Sequence, residues 1–361
     1  MQVITITNQK GGCGKTITCV NLAGVIAGTG KKVLLVDLDP QAHATSALGI
    51  NIQGSLKSSY AIFDTFINRI ENKSISNIIQ RKYENLYVIG SHLLLSTVEQ
   101  KMANKPEAVL VLSRALKSKE FIDFDYILID TPPNLGFLTL NAMIAADRMI
   151  VPLEVSLFSL NGVAQIENLL KISENMGIEK PEVRFLITMF DCRSNFAKQF
   201  LEKVQKEFGR RLFNTVIRAN VKLREAARSG KVIYEYAPFA NGSKDYINLA
   251  VELIPDLKNA PIDLKVTEED LSKPSIEPGV SFKLEAPKAK DVYITGSFNH
   301  WQVSDNYKME KSEDGLWVKN LHMSSGRHLY KFVIDGVWKE DPQNTLVEND
   351  TMGGKNSVIK I

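Results

Sequence analysis

Val3-Ile4-Thr5-Ile6-Thr7 runs past Gln9 into Lys10-Gly11-Gly12-Cys13-Gly14-Lys15-Thr16. A β-branched run of this kind suits a buried strand. Gly11, Gly12 and Gly14 let the backbone curl so that successive N–H groups converge on an anion. Thr16 to Ala27 reads as a helix whose N-terminal dipole aims at the same point. Strand, glycine loop and helix in that order make a phosphate cradle, with Lys15 placed for β- and γ-phosphates and the Thr16 hydroxyl for Mg²⁺. A glycine-rich turn with a chance Lys-Thr would not call for a strand before it and a helix after it.

Outward from this stretch the pattern repeats. Val33-Leu34-Leu35-Val36 is a second strand, with Asp37 and Asp39 at its C-terminal end. Residues 41–120 read as mainly helical, with one strand at Leu86-Tyr87-Val88-Ile89. Tyr126-Ile127-Leu128-Ile129 ends in Asp130, and Met149–Leu153 and Val183–Ile187 follow, each after a helical stretch. Helical patterns continue over Phe196–Phe208, Val221–Ser229 and Ser243–Leu253. Apolar strands alternating with helices predict an α/β fold: a mostly parallel sheet with helices on both faces.

The chain has 361 residues, enough for a large domain and a small one. With 44% hydrophobic and 24% charged residues it reads as globular. A net charge of +3 excludes a global field toward nucleic acid, so any such attraction is local. Cys13, Cys19 and Cys192 lack metal-ligand spacing, and their odd number argues against a disulfide framework. A cytoplasmic setting is expected. No apolar signal core follows Met1, and no stretch approaches the roughly 18 apolar residues of a membrane span.

Trp301, Trp317 and Trp338 all lie late in the chain, where the texture changes. Pro255, Pro261, Pro274 and Pro278 mark linker composition, which divides the chain into 1–254, a linker over 255–279, and 280–361. In the last part short strands are expected at Val280–Leu284, Asp291–Thr295, Leu316–Leu321, His328–Ile334 and Ser357–Ile361. Turn signals sit at Glu313-Asp314-Gly315 and Asp335-Gly336. Such spacing predicts a small β-sandwich.

The phosphate loop departs from the plain Walker pattern, with Gln9 in place of its first glycine and Lys10 next. In this it resembles the variant loop of the ParA, MinD and nitrogenase-iron-protein family. Val36-Asp37-Leu38-Asp39-Pro40-Gln41 resembles that family's switch I, and Ile129-Asp130-Thr131-Pro132-Pro133 its Walker B and switch II. The resemblance implies Mg-ATP held by Lys10, Gly11, Gly12, Cys13, Gly14, Lys15, Thr16 and Ile17. It places Mg²⁺ near Thr16, Asp37 and Asp130, and makes Asp39 the residue that orients the attacking water. Lys10 would cross a homodimer to the partner's ATP and, with Lys15 and Asp39, form the catalytic set. Either aspartate taken alone could be no more than a helix cap.

Asn134–Ala142, Thr188–Arg193 and Val216–Ala226 resemble ParA and Soj segments. That implies an ATP-state dimer binding DNA non-specifically, a ParB-type partner that stimulates hydrolysis of ATP to ADP and phosphate, and a nucleoid-associated location. Between Arg184 and Lys231 basic residues far outnumber acidic ones. Arg193, Arg218, Lys222, Arg224 and Arg228 are the candidate DNA contacts. A solvated helical face is the plainer reading of such a cluster. MinD carries a C-terminal amphipathic membrane helix where this chain ends in strands, so no membrane partner is expected. Iron proteins need cluster-bridging cysteines, which are not so placed here.

Val292–Trp301, Tyr330–Trp338, Asp341-Pro342 and Asn356–Ile359 resemble the glycogen-binding module of AMP-activated kinase β-subunits and isoamylase-type enzymes. The resemblance implies that Trp301 and Trp338 stack on glucose rings while Lys331 and Asn356 bind hydroxyls, and it leaves Trp317 in the core. A docking or dimer module with packed tryptophans is the alternative. Together these readings predict a partitioning or positioning ATPase whose tail takes α-glucan or a protein. The competing function is an ATP-switched carbohydrate sensor or scaffold that does not act on DNA.

Overall fold

Alternate residues of the central strands feed opposite layers of core, which explains the unbroken apolar runs of the sequence. Val33, Leu35 and Leu128 pack into one layer, with Ile4 and Ile6, while Val3, Leu34, Val36, Ile127 and Ile129 pack into the other. The computed structural model describes residues 1–68, 76–102, 105–156, 161–175, 177–262, 279–299, 301–312, 315–322, 327–344, 346–349 and 354–360.

The strands are β1 (Gln2–Ile6), β2 (Val33–Asp37), β3 (Gln80–Tyr83), β4 (Leu86–Ile89), β5 (Tyr126–Asp130), β6 (Arg148–Glu154) and β7 (Glu182–Thr188). They form one sheet in the order β3-β4-β2-β5-β1-β6-β7. Every pairing is parallel except β3 with β4. The helices Lys15–Gly28 and Asn241–Leu253 cover one face. Tyr60–Ile67 and Val111–Leu116 cover the other, and Asn161–Asn175 and Asn195–Phe208 pack with β6 and β7. The expected α/β sheet with helices on both faces is what the chain forms.

The interval 41–120 is less helical than the sequence suggested. Its described α-helices, His43–Ala47, Tyr60–Ile67, Val98–Met102 and Val111–Leu116, are short and are joined by 3-10 turns. The unexpected β3 is polar, Gln80-Arg81-Lys82-Tyr83, and sits at the sheet edge. Charged residues are tolerated there because one side of the strand has no neighbour to pair with.

Two compact units divide the chain, Met1–Asp270 and Leu271–Ile361. Most of the expected linker lies outside the described residues. Its start is not free chain: Leu257 is buried in the first unit, Ile262 packs beside it, and the Tyr234 hydroxyl donates to the Ile262 carbonyl at 2.9 Å.

The second unit holds β8 (Gly279–Glu285), β9 (Val292–Gly296), β10 (Glu310–Lys311), β11 (Leu316–His322), β12 (Arg327–Ile334), β13 (Val337–Lys339), β14 (Val347–Asn349) and β15 (Lys355–Lys360). One antiparallel sheet runs β10-β11-β8; the other runs β13-β12-β15-β14, with β9 also on β12. Phe282, Leu284 and Trp317 from the first sheet meet Val292, Ile294, Tyr330 and Phe332 from the second in a single core. The exposed strands β10, β13 and β14 run for only two or three residues each, too short to announce themselves. Asp335-Gly336 joins β12 to β13 with φ of 47° and 83°, as a tight hairpin requires. Of the other turn signal, Glu313 and Asp314 lie outside the described residues, as do His300 and Ile361.

Candidate functional site

β1 delivers the glycine loop to the C-terminal edge of the sheet, where an open α/β fold binds its ligand. Gly12 and Gly14 have φ of 77° and 88°, which side-chain-bearing residues rarely adopt. Thr188 lies beside Gly14, and its hydroxyl donates to the Cys13 carbonyl at 2.8 Å and ties the loop to β7. Asn8 braces the loop start: its amide donates to the Pro152 carbonyl at 2.6 Å and its carbonyl oxygen accepts the Lys10 N–H at 3.0 Å.

The two loop lysines are turned inward. Lys15 Nζ donates to the Lys10 carbonyl at 2.9 Å. Lys10 Nζ is paired with the Glu154 carboxylate and donates to Ser156 Oγ at 2.9 Å. Glu154 ends β6, so this contact joins the loop to the neighbouring strand end. The sequence does not single out Glu154 or Ser156, and it names Thr188 only within the Thr188–Arg193 segment, with no role. Glu154 could have been found as another carboxylate at a strand's C-terminal end; nothing in the sequence marked Thr188 as the tie between the loop and β7.

The parallel register sets Asp37 opposite Asp130 across β2 and β5. Both are fully buried. Asp37 accepts the Thr45 N–H at 2.8 Å, the Thr45 hydroxyl at 2.6 Å and the Asp39 N–H at 3.0 Å. Burial nevertheless pushes its carboxyl up to about 6. Asp130 Oδ2 accepts the Thr16 hydroxyl at 2.8 Å, while Oδ1 has no hydrogen-bond partner among the described residues. Burial and the Asp37 charge hold the Asp130 carboxyl well above the usual carboxylate range. Asp39 is buried too; its Oδ1 accepts the Gln41 N–H at 3.0 Å and its Oδ2 lies 3.5 Å from His43 Nδ1. Ile17 lies in the first turn of the loop's helix and packs on the core.

An orphaned buried carboxylate oxygen beside a second aspartate and a hydroxyl is a donor set suited to a hard cation. Mg²⁺ completes its shell with phosphate oxygens and water, so it does not need a cage of protein ligands. Among the described residues no group of three His, Cys, Asp or Glu side chains forms such a cage.

The five basic candidates fall into two kinds. Arg218 grips the buried Asp245 carboxylate, with Nε at 3.0 Å from Oδ1. Arg193 forks onto Asp191 at 3.0 Å, and Lys222 pairs with Glu225 at 2.7 Å. Arg224 and Arg228 are exposed on the helix Val221–Arg228, and no ion pair to either is found among the described residues.

In the second unit the hairpin sets Trp338 opposite Val333, on the face of β12 that also carries Lys331. Ser357 pairs with Tyr330, so its neighbour Asn356 lies on the Lys331 face as well. The Trp301 and Trp338 rings stand 6.3 Å apart at 41°, and Trp338 is 46% exposed. Trp301 is set by a turn in which Asn299 accepts the Gly296 N–H at 2.9 Å and Trp301 N–H reaches the Gly296 carbonyl at 2.9 Å. A Cβ on Gly296 would lie 2.2 Å from the Leu329 carbonyl, so only glycine fits. Asn356 is buried, whereas Lys331 is half-buried. Trp317 is buried as expected and donates from Nε1 to the Ala286 carbonyl at 2.9 Å.

Two family models match the chain. One described as an AAA domain covers residues 1–185, and one described as the glycogen recognition site of AMP-activated protein kinase covers residues 280–361. The sporulation initiation inhibitor protein Soj of Bacillus subtilis is 38% identical over 254 residues, covering 70% of this chain and 98% of that protein. The chromosome partitioning protein ParA of Myxococcus xanthus is 35% identical over 257 residues, covering 70% and 88%. Among solved structures, cobyrinic acid a,c-diamide synthase from Mycobacterium smegmatis with bound ADP and magnesium matches at TM-score 0.59 and 25% identity, covering 74% of this chain and 99% of that one.

Proposed function

The chain belongs to the ParA/Soj-type P-loop ATPases and carries a C-terminal domain like the glycogen recognition site of AMP-activated protein kinase, and from that premise we propose that it is an ATP-gated partitioning or positioning ATPase. In this reading residues 1–254 bind Mg-ATP and dimerise in that state, and residues 280–361 select the cargo. The observation that carries it is the loop itself: two inward-turned lysines, two glycines at positive φ, and Asp130 with an unmet oxygen beside Thr16.

Lys15 and the loop N–H groups hold the β- and γ-phosphates, and Lys10 reaches the partner's nucleotide. Thr16 and Asp130 are the residues that would hold Mg²⁺, with Asp37 beside them; the cation neutralises charge on the phosphates. Asp39 orients the attacking water. Arg224 and Arg228 are the foremost DNA contacts, because neither is engaged in an ion pair among the described residues. Arg193 and Lys222 can join them by giving up exposed partners, and Arg218 supports the helix from behind. A ParB-type protein is the activating partner, and the setting is the nucleoid-bearing cytoplasm. Among the described residues no helix is long and apolar enough to cross a membrane.

Co-sedimentation with DNA in ADP, ATP or a slowly hydrolysed analogue, across a salt series, tests this. ATP-dependent binding that weakens with salt is expected. Absence of DNA binding in every state favours the second reading, an ATP-switched reader of α-glucan. That reading draws on Trp301, Lys331 and Trp338 sharing one accessible region.

A further inference from the structure

The sugar-facing surface is small. It amounts to two indoles 6.3 Å apart, a lysine beside them on β12, and the edge of a largely buried Asn356. A face of this size grips only a few rings of a glucan, and the surplus left after ordering both partners is modest. One such module is a weak reader.

Its attachment changes the arithmetic. The first unit holds its own chain as far as Ile262, through the Tyr234 hydroxyl and through packing on the core. Tyr234 follows Ile233, whose N–H donates at 2.6 Å to Asn21 on the helix that begins at the phosphate loop. Sixteen residues separate Ile262 from Gly279, a length of chain that spans at most roughly 55 Å at about 3.4 Å per residue. When two first units associate, two sugar modules are carried by one assembly.

We propose that ATP controls retention of a polymeric α-glucan on the second unit through bivalency: the nucleotide-bound dimer holds two points of one polymer while each module's intrinsic affinity stays constant. The inference rests on the ATP-gated dimer and the glucan-binding tail proposed above. Linking two weak sites at millimolar effective concentration raises apparent affinity by a factor of about 10² to 10⁴ when the geometry permits both to engage. A ligand too short to reach two modules gains nothing.

The full chain is titrated with glycogen and, separately, with maltoheptaose, in Mg-ADP and in a slowly hydrolysed ATP analogue, with molar mass followed by light scattering. The expected result is at least tenfold tighter glycogen binding in the analogue, with maltoheptaose binding unchanged within twofold. Lys10→Ala should remove the glycogen gain and leave maltoheptaose binding intact. Three outcomes would overturn the proposal while leaving the ATPase and sugar assignments standing: a dimer with no glycogen gain, a gain equal for both ligands, or a gain that persists in a monomeric Lys10→Ala protein. Failure to bind either glucan in any state removes the sugar assignment and this inference together. Failure of the analogue to double the mass removes the dimer.

Discussion

Lys10 and Glu154 are paired across the mouth of the phosphate loop, with the lysine ammonium also bonded to Ser156. The cation that the family resemblance assigns to a partner's nucleotide is thus held within its own protomer. On the proposed reading, release of that pair is the local event that would precede dimerisation. An ion pair this accessible contributes about 0.2–1 kcal/mol. Glu154→Gln is expected to lower the ATP concentration for half-maximal dimerisation by up to about fivefold, measured by light scattering. A shift to higher ATP would show that Glu154 serves the dimer instead of restraining it.

Lys15 is buried against the loop and, among the described residues, its ammonium is bonded only to a carbonyl that a phosphate can replace. Lys15→Ala is expected to weaken ATP binding at least tenfold, as read by calorimetry, with little change in the nucleotide-free melting temperature. Undiminished affinity would remove the loop from the account.

The Asp37 carboxyl rises from 3.8 to about 6 on burial, and Asp130 shifts the same way. A group that holds its proton more tightly when folded stabilises below its unfolded value, and that stability is lost as pH rises through the folded value. The nucleotide-free chain should therefore lose a stabilising contribution between about pH 4 and pH 6, and Asp37→Asn should flatten that part of the profile. Mg-nucleotide favours the charged carboxylates and should reverse the trend. Thermal melts across pH, with and without Mg-nucleotide, report both effects; an unchanged slope in Asp37→Asn would contradict them.

Arg218 and Arg224 separate structure from binding. Arg218→Ala removes the guanidinium from the buried Asp245, which keeps the backbone N–H of residue 218, and should destabilise the chain by about 2 kcal/mol. Arg224→Ala should leave the melting temperature unchanged and lower the salt slope of DNA binding by about 1. Denaturation curves and salt-series binding would reveal any exchange of these roles.

Trp317 and Trp338 divide the same way. Trp317→Ala empties the core of the sandwich and should cost it roughly 3–5 kcal/mol. Trp338→Ala removes an exposed ring, so the fold should persist while glucan binding falls at least tenfold, as measured by calorimetry with maltoheptaose.

The α/β sheet was legible because its strands are apolar on both faces, and the site because Lys10–Thr16, Asp37 and Asp130 stand at the ends of such strands. The polar edge strand β3 was not legible, since nothing but its pairing with β4 makes it a strand. Nor was the contact between Glu154 and Lys10, which joins residues 144 apart. Arg218 looked like a surface cation because Asp245 comes 27 positions later. Charge composition reports how many cations a segment carries and not which of them are already engaged.

Light scattering of the full chain and of Lys10→Ala, each in Mg-ADP and in a slowly hydrolysed ATP analogue, tests the central claim most directly. The molar mass of the unaltered chain should double in the analogue alone, and that of Lys10→Ala should not change. A single mass in all states, or equal doubling by both proteins, would contradict a nucleotide-welded dimer built on this lysine.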